Sequence, residues 1–175
     1  LTADDREYCG SSDPKIIYGF NINAGWKGID LSLMFNGAAG VKRLFDGYEV
    51  YGNFSGDAAH PATIWRDAWT PDNHDASMPR IFYDTNSASS SRSVQSDFWL
   101  QDTSYLRLKN LQLGYTLPKG WLNSVGVENI RIYYSVENLL TFDKMKINID
   151  PESTSQRLSS YPLVRTHAFG VNVTF

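Results

Sequence analysis

Cysteine is almost absent. The 175-residue sequence has one, Cys9, so it can form no internal disulfide and has no second thiol for a zinc or redox pair. Positive charge is also short: 16 Lys and Arg against 19 Asp and Glu leave a formal net charge of -3. No basic stripe follows a phosphate backbone, which argues against a nucleic-acid partner. No apolar run approaches the roughly 18 residues of a transmembrane helix, and no charged-then-apolar leader opens the chain. That excludes helical spanning only. A membrane β-barrel alternates apolar and polar residues, and the mean hydropathy of -0.36 is compatible with one.

Motifs that carry chemistry are missing as well. The three histidines, His60, His74 and His167, lie far apart, with no GxSxG elbow and no HExxH spacing. GAAGVKR at residues 37–43 lacks the GK[ST] of a phosphate loop, and Cys9 has no evident basic partner. The chain is therefore expected not to be an enzyme and to require no cofactor. What the sequence does have is 42% hydrophobic and 14% aromatic residues, enough for a sizeable folded core. It opens on Leu1 rather than Met, so it is expected to be processed or to belong to a longer protein.

Period-two alternation dominates. In IIYGFNINAGW, Ile16, Tyr18, Phe20, Ile22, Ala24 and Trp26 share one face, and Ile17, Gly19, Asn21, Asn23 and Gly25 the other. Lys27-Gly28 reads as a two-residue turn, and the return strand sets Ile29, Leu31, Leu33 and Phe35 against Asp30, Ser32, Met34 and Asn36. YLRLKNLQLGYTLP alternates in two phases, Leu106 and Leu108, then Leu111, Leu113, Tyr115 and Leu117. A bulge near Lys109 or Asn110 would reconcile them. A fourth strand sets Ile130, Ile132, Tyr134 and Val136 opposite Arg131, Tyr133, Ser135 and Glu137; the fifth carries His167, Phe169, Val171, Val173 and Phe175 on one face.

The spacing divides the chain into an outer loop over 1–15, a hairpin over 16–37, a long loop over 38–104 and three last strands over 105–175. The long loop exceeds an ordinary connection and should be functional or partly disordered. Within it PATIWRDAW predicts about two helical turns, and SASSSRS at 87–93 predicts a flexible tip.

Alternation alone fits two architectures. In a soluble β-sandwich the apolar face packs inward; in a lipid-embedded barrel it faces outward. Aromatics at strand ends (Trp26, Tyr115, Phe175), an opposite face of small or uncharged residues, and short turns alternating with long loops favour the barrel. Short turns would then be periplasmic and the long loop extracellular. Five strands cannot close a barrel, because the smallest need about eight. A soluble sandwich that binds carbohydrate through loop aromatics, or a surface adhesive β-domain, remains the alternative.

The stretches DPKIIYGFNINAGWKGIDLSLMFNGAAG, WRDAWTPDNHDASMPR, SYLRLKNLQLGYTLP, ENIRIYYSVENLLTF, IDPE and YPLVRTHAFGVNVTF resemble, in order, the C-terminal part of the SusC/RagA class of TonB-dependent outer-membrane transporters of Bacteroidetes. The resemblance covers nearly the whole sequence. It implies an all-β, antiparallel transmembrane β-barrel fragment, about the last five strands of a barrel of about 22, with the N-terminal plug absent from this chain. It further implies import of bulky nutrients, glycans or other oligosaccharides or peptides, under a SusD-like lipoprotein lid, driven through TonB from the missing N-terminal region.

Several residues are singled out. Asn21, Asn23, Asp30, Asn36, Arg131 and Glu137 are expected to line the lumen. Trp65 and Trp69, spaced i, i+4, would share one side of a short helix and could stack on a sugar or on the lid, or simply pack the loop onto itself. LTADDRE resembles the tail of a calcium loop of the family, with Asp5 in a final ligand position of a structural Ca2+ site. Asp72, Asn73, His74 and Asp75 read as turn chemistry rather than a metal site. Phe169, Val171, Val173 and Phe175 resemble the C-terminal signal by which the barrel-assembly machinery captures a last strand.

Overall fold

The computed structural model describes residues 4, 6–45, 63–81, 96–122, 126–147, 149–153 and 161–175. Among the described residues the strands are β1 (Ile16–Trp26), β2 (Ile29–Ala39), β3 (Lys42–Leu44), β4 (Leu100–Asp102), β5 (Tyr105–Thr116), β6 (Asn129–Asp143) and β7 (Thr166–Thr174), with one short α-helix, α1 (Lys119–Leu122). Two compact units form. One holds residues 15–39, 105–143 and 163–175, the other 1–14, 40–104 and 144–162.

The first unit is a five-stranded antiparallel sheet in the order β1-β2-β5-β6-β7. Its first hairpin turns on two residues because both Lys27 (φ 47) and Gly28 (φ 88) take positive φ, the geometry of a turn whose twist matches the strands. Register then carries each face across the sheet. Ala24, Leu31, Leu113, Tyr134 and Phe169 form one cross-strand row, and Ile22, Leu33, Leu111, Val136 and His167 the next.

Lys109 is the extra residue in β5. Pairing with β2 steps from Met34–Asn110 to Phe35–Leu108, and pairing with β6 shifts between Leu108 and Asn110. This bulge puts Leu106 and Leu108 on the same face as Leu111, Leu113 and Tyr115, as the two phases of the sequence require. β6 runs past the expected Glu137 to Asp143, because Asn138 takes a left-handed conformation (φ 54) beside the bulge and the ladder resumes with Leu108–Leu140.

The face made by the apolar set is left open. Phe20, Ile22, Leu113, Ile132, Phe169 and Val171 are all exposed, Phe169 at 83%, and among the described apolar residues of this unit only Leu108, Leu122 and Val136 are buried. Side chains on that face pair across strands: Phe20 stacks on Phe35 at 4.8 Å, and Tyr18 lies over Gly37 and donates its hydroxyl to the Tyr105 carbonyl at 2.7 Å. Aromatic residues covering a strand glycine restore packing that the glycine lacks.

The second unit has the core. Phe45, Trp65, Ala68, Met78, Trp99 and Ile147 are buried together, with Leu44, Ile64, Met145 and Ile149 packed against them. β3 and β4 pair antiparallel, and Lys42 N–H donates to the Ser11 carbonyl at 2.9 Å.

A Cβ on Gly28 would lie 2.8 Å from the Thr116 carbonyl oxygen at a φ disfavoured for other residues. In the complete protein Gly28→Ala should therefore destabilise the folded barrel by about 1 kcal/mol or more, whereas Lys27→Gly should not. The check is the temperature at which each variant loses the compact electrophoretic mobility of the folded barrel.

Candidate functional site

The polar face of the sheet is built by the same pleat that builds the apolar one. Asn21 and Asn23 on β1, Asp30 and Asn36 on β2, and Arg131 and Glu137 on β6 all lie on it, opposite the apolar rows. The structure brings two of them together. Arg131 Nε donates to Asp30 Oδ1 at 2.9 Å and Nη2 to Oδ2 at 2.5 Å, a bidentate pair, and Nη2 also reaches Gln112 Oε1 at 3.3 Å. The ion pair spans from β6 to β2 across β5, and it passes over Gly114: a Cβ there would stand 2.5 Å from both Arg131 and Asp30. The side chains keep 21% and 40% of their surface exposed, so solvent screening holds the contribution of this pair to about 1 kcal/mol or less.

Arg131 also lies over the Tyr133 ring at 5.2 Å, and the Tyr133 ring in turn covers Gly170. The other residues expected on this face stay apart from the cluster. Asn21 sits opposite Met34, Asn23 opposite Ser32, Asn36 next to Gly19 and Arg107, and Glu137 between Asn110 and Thr166. Arg107, Gln112 and Tyr133 join the polar face without having been singled out. Arg107 is fully buried, with Nε donating to Thr141 Oγ1 at 3.0 Å and its guanidinium 5.4 Å from the Tyr105 ring. Parity with Leu106, Leu108, Leu111 and Leu113 would have found the first two.

The loop residues are arranged differently from the expectation. The two helical turns reduce to a 3-10 segment, Thr63–Asp67. Past Asp67 the backbone leaves helical geometry, because Trp69 N–H donates to the Met78 carbonyl at 2.9 Å and Met78 N–H to the Asp67 carbonyl at 3.1 Å. Trp65 and Trp69 thus do not share a side. Trp65 is buried in the core, 6.3 Å from Trp99; Trp69 is 37% exposed and stacks on His74 at 5.7 Å.

The segment between them and Met78 is closed by Asp67, whose Oδ2 accepts Ser77 N–H at 2.9 Å and Oδ1 accepts Asn73 Nδ2 at 3.1 Å. Those bonds, from Ser77 first and then Asn73, hold the Asp67 carboxyl below its usual range. Thr70 and Asn73 exchange backbone bonds at 3.3 and 3.0 Å, so Asn73 serves the turn. A cavity of about 440 Å3 opens in this unit, lined by Trp69, Met78, Pro79, Arg80, Phe98 and Trp99 among others; Phe98 meets Trp99 edge-on at 4.8 Å.

Asp5 and the 87–93 tip lie outside the described residues. No group of three or more His, Cys, Asp or Glu that could hold a metal occurs among the described residues. On β7, Phe169, Val171 and Val173 lie in the apolar rows, Phe169 against Tyr134 at 4.9 Å, and Phe175 follows the strand, 88% exposed.

This chain is similar over its whole length to TonB-dependent receptor P3 of Formosa agariphila, at 33% identity, and to TonB-dependent receptor P26 of the same organism, at 30%. It spans 18% of the length of each. Among solved structures it is similar to chains of the RagAB peptide importer. In the closed-closed state the match has a TM-score of 0.76 and in the open-open state 0.73, at 27% identity, covering 100% of this chain and 19% of the other. No protein-family model matches.

The two tryptophans give the site its first test. In the complete protein, Trp65→Ala should cost the loop unit about 3–5 kcal/mol and expose the 40–104 segment to protease, while Trp69→Ala, at the cavity margin, should leave protection nearly unchanged. Limited proteolysis of folded protein reads both, and equal protection of the two variants would mean that Trp65 does not hold the loop.

Proposed function

Since the chain belongs to the TonB-dependent receptors of the SusC/RagA class, we propose that it forms the C-terminal wall of the barrel of an outer-membrane importer of bulky nutrients. The observation that carries this reading is the whole-length similarity to importer chains, coupled to a sheet with one open apolar face. Lipid contacts the rows of Ile, Leu, Phe and Val. The polar face, with Asn21, Asn23, Asp30, Asn36, Arg131 and Glu137, lines the lumen, where it meets water, plug or cargo.

In this reading the short Lys27-Gly28 turn lies on the periplasmic side, where Trp26 and Lys27, 5.0 Å from nitrogen to ring centroid, sit at headgroup level. The 38–104 loop is extracellular, and its cavity offers Trp69 and Phe98 to cargo or to a lid. The name of the solved relatives, a peptide importer, supports peptide as one class of cargo; glycans remain the other class, and a SusD-like surface lipoprotein is the proposed lid. Energy comes through TonB, contacted by a region outside this stretch. Asp5 contributes a ligand to a structural Ca2+ site, and the chain catalyses no reaction. This stretch does not itself move cargo; it forms the wall against which a plug seats.

Orientation is tested by an epitope inserted at 87–93 of the complete protein. It should be labelled on intact cells, and labelling only after outer-membrane rupture would reverse the assignment.

The last strand gives a second test. Phe175 as one more interfacial aromatic would be worth about 1.5–3 kcal/mol of burial, too little to abolish folding of a large barrel. As the terminal anchor read by the assembly machinery it matters more. Deleting Phe175 should lower the amount of assembled protein in outer-membrane fractions far below that of Ile132→Ala at equal synthesis. Equal assembly of the two would leave Phe175 a girdle residue.

A further inference from the structure

The cavity of the loop unit is walled by rings that are fixed before anything enters it. Trp99 is buried in the core, and Phe98 stands against it edge-on at 4.8 Å, so the Phe98 ring, itself 47% exposed, takes its angle from the core. Trp69 is backed by His74, parallel at 5.7 Å and outside the cavity lining, and its backbone N–H is tied to the Met78 carbonyl. Met78 and Pro79 complete an apolar surface. Rings held in place lose little freedom when a ligand arrives, and about 440 Å3 lies at the small end of the roughly 300–1,000 Å3 of ligand sites. That space suits one large side chain and the peptide groups beside it.

Most polar groups around these rings are already spent. Ser77 gives both its amide and its hydroxyl to Asp67, and the Asn73 side chain donates to the same carboxylate. A sugar laid on the indole would find the carboxylate and the amide nearest to it in sequence engaged with each other. Two groups differ. Ser96 makes no capping bond to the 3-10 turn Asp97–Trp99 that follows it. Arg80, exposed, is the one charged residue among the described residues that line the cavity; Asp97 adjoins Ser96 and Phe98 in sequence but is not part of the lining.

We propose that this cavity binds an apolar carboxylate, the C-terminal residue of a short peptide, with its ring or branched chain against Trp69 and Phe98 and its carboxylate on Arg80. The proposal rests on the importer reading above and assigns one of its cargo classes to a position. A guanidinium takes a carboxylate through two parallel bonds, and apolar walls of low polarizability strengthen such a pair relative to open water. The Ser96 hydroxyl, donor and acceptor at once, serves the peptide group that precedes the terminal residue. A peptide whose terminus is amidated, or whose last side chain is polar, keeps only one of the two main contacts.

The test uses the complete protein in detergent micelles and the tripeptide Ala-Ala-Phe, as free acid and as C-terminal amide, with a benzophenone-bearing copy for photocrosslinking. Crosslinks should fall in residues 69–80 and 96–99, and the acid should bind about five- to tenfold more tightly than the amide. Arg80→Gln should remove that difference and leave amide binding nearly unchanged. Trp69→Ala should weaken both ligands about fivefold, with protease protection of the loop unit showing that the variant is folded. Equal binding of acid and amide by the parent, or a preference that survives Arg80→Gln, would overturn the site, as would crosslinks confined to other residues or displacement of the peptide by an oligosaccharide. The membrane reading is scored separately by the heat-modifiable mobility of the same samples: a membrane-embedded parent without these effects refutes this site alone, while a parent protein that stays soluble without lipid or detergent refutes the barrel.

Discussion

Every property of the sheet depends on which of two faces a residue takes, and backbone pairing register sets that choice. A strand slipped by one residue would turn its whole apolar set over. β5 shows how narrow the margin is. If Lys109 stayed in regular register instead of bulging out, either Leu106 and Leu108 or Leu111, Leu113 and Tyr115 would fall on the polar side, with Arg107 or Gln112 sent into the apolar rows. An arginine facing hydrocarbon costs several kcal/mol near mid-bilayer, which exceeds the cost of one lost ladder pair, so the bulge is the cheaper solution. The left-handed Asn138 on the neighbouring strand is the matching adjustment in β6.

The loop unit obeys a different constraint. It follows no period, so its order comes from burying a few large rings. Phe45, Trp65 and Trp99 come from points far apart in the sequence and meet with Met78 and Ile147. The polar groups around them are tied down locally: Asp67 takes bonds from Asn73 and Ser77, Asp102 takes the Ser104 amide at 2.9 Å, and Gln101 takes the Lys146 amide at 3.1 Å. The Asp102 carboxyl is lowered, first by the Ser104 side chain and then by its amide, as expected for an acceptor of two donors. Such a unit owes little of its order to strand pairing, whose one ladder among the described residues is β3 with β4.

These two constraints also divide what the sequence discloses from what it hides. Strand pairing leaves a local trace, and the hairpin at Lys27-Gly28, the common face from Ile16 to Trp26 and the phase change at Lys109 were all legible one strand at a time. The polar face followed by parity alone. The Asp30–Arg131 pair did not, since it joins residues on strands that are not adjacent and needs Gly114 between them. Trp65 was the harder case. Its i, i+4 spacing to Trp69 is a helical signal, but the pairing of Trp69 with Met78 and the burial of Trp65 against Trp99 are tertiary contacts, which override a weak local preference. Extent was underestimated for the same reason at β6, where alternation breaks at Asn138 but the ladder does not.

The glycines on the polar face connect the wall to its proposed use. Gly114 lies under the Asp30–Arg131 pair and Gly170 under the Tyr133 ring, so the Asp30, Arg131 and Tyr133 side chains lie along the sheet instead of standing off it. Replacing either glycine with a larger residue would push an arginine or a tyrosine outward. A wall that faces a wide lumen benefits from flatness, because a side chain that projects inward takes space from the plug and from cargo. Part of the charge is paired within the sheet as well: Arg131 is neutralised by Asp30, while Glu137 stands exposed on the same face. The face therefore offers amides and hydroxyls from Asn21, Asn23, Ser32, Ser135 and Asn172, which bond weakly to many partners. In the proposed importer such weak and unselective contact would suit a surface past which varied cargo slides, whereas Trp65, Trp69 and Trp99 belong to the other unit.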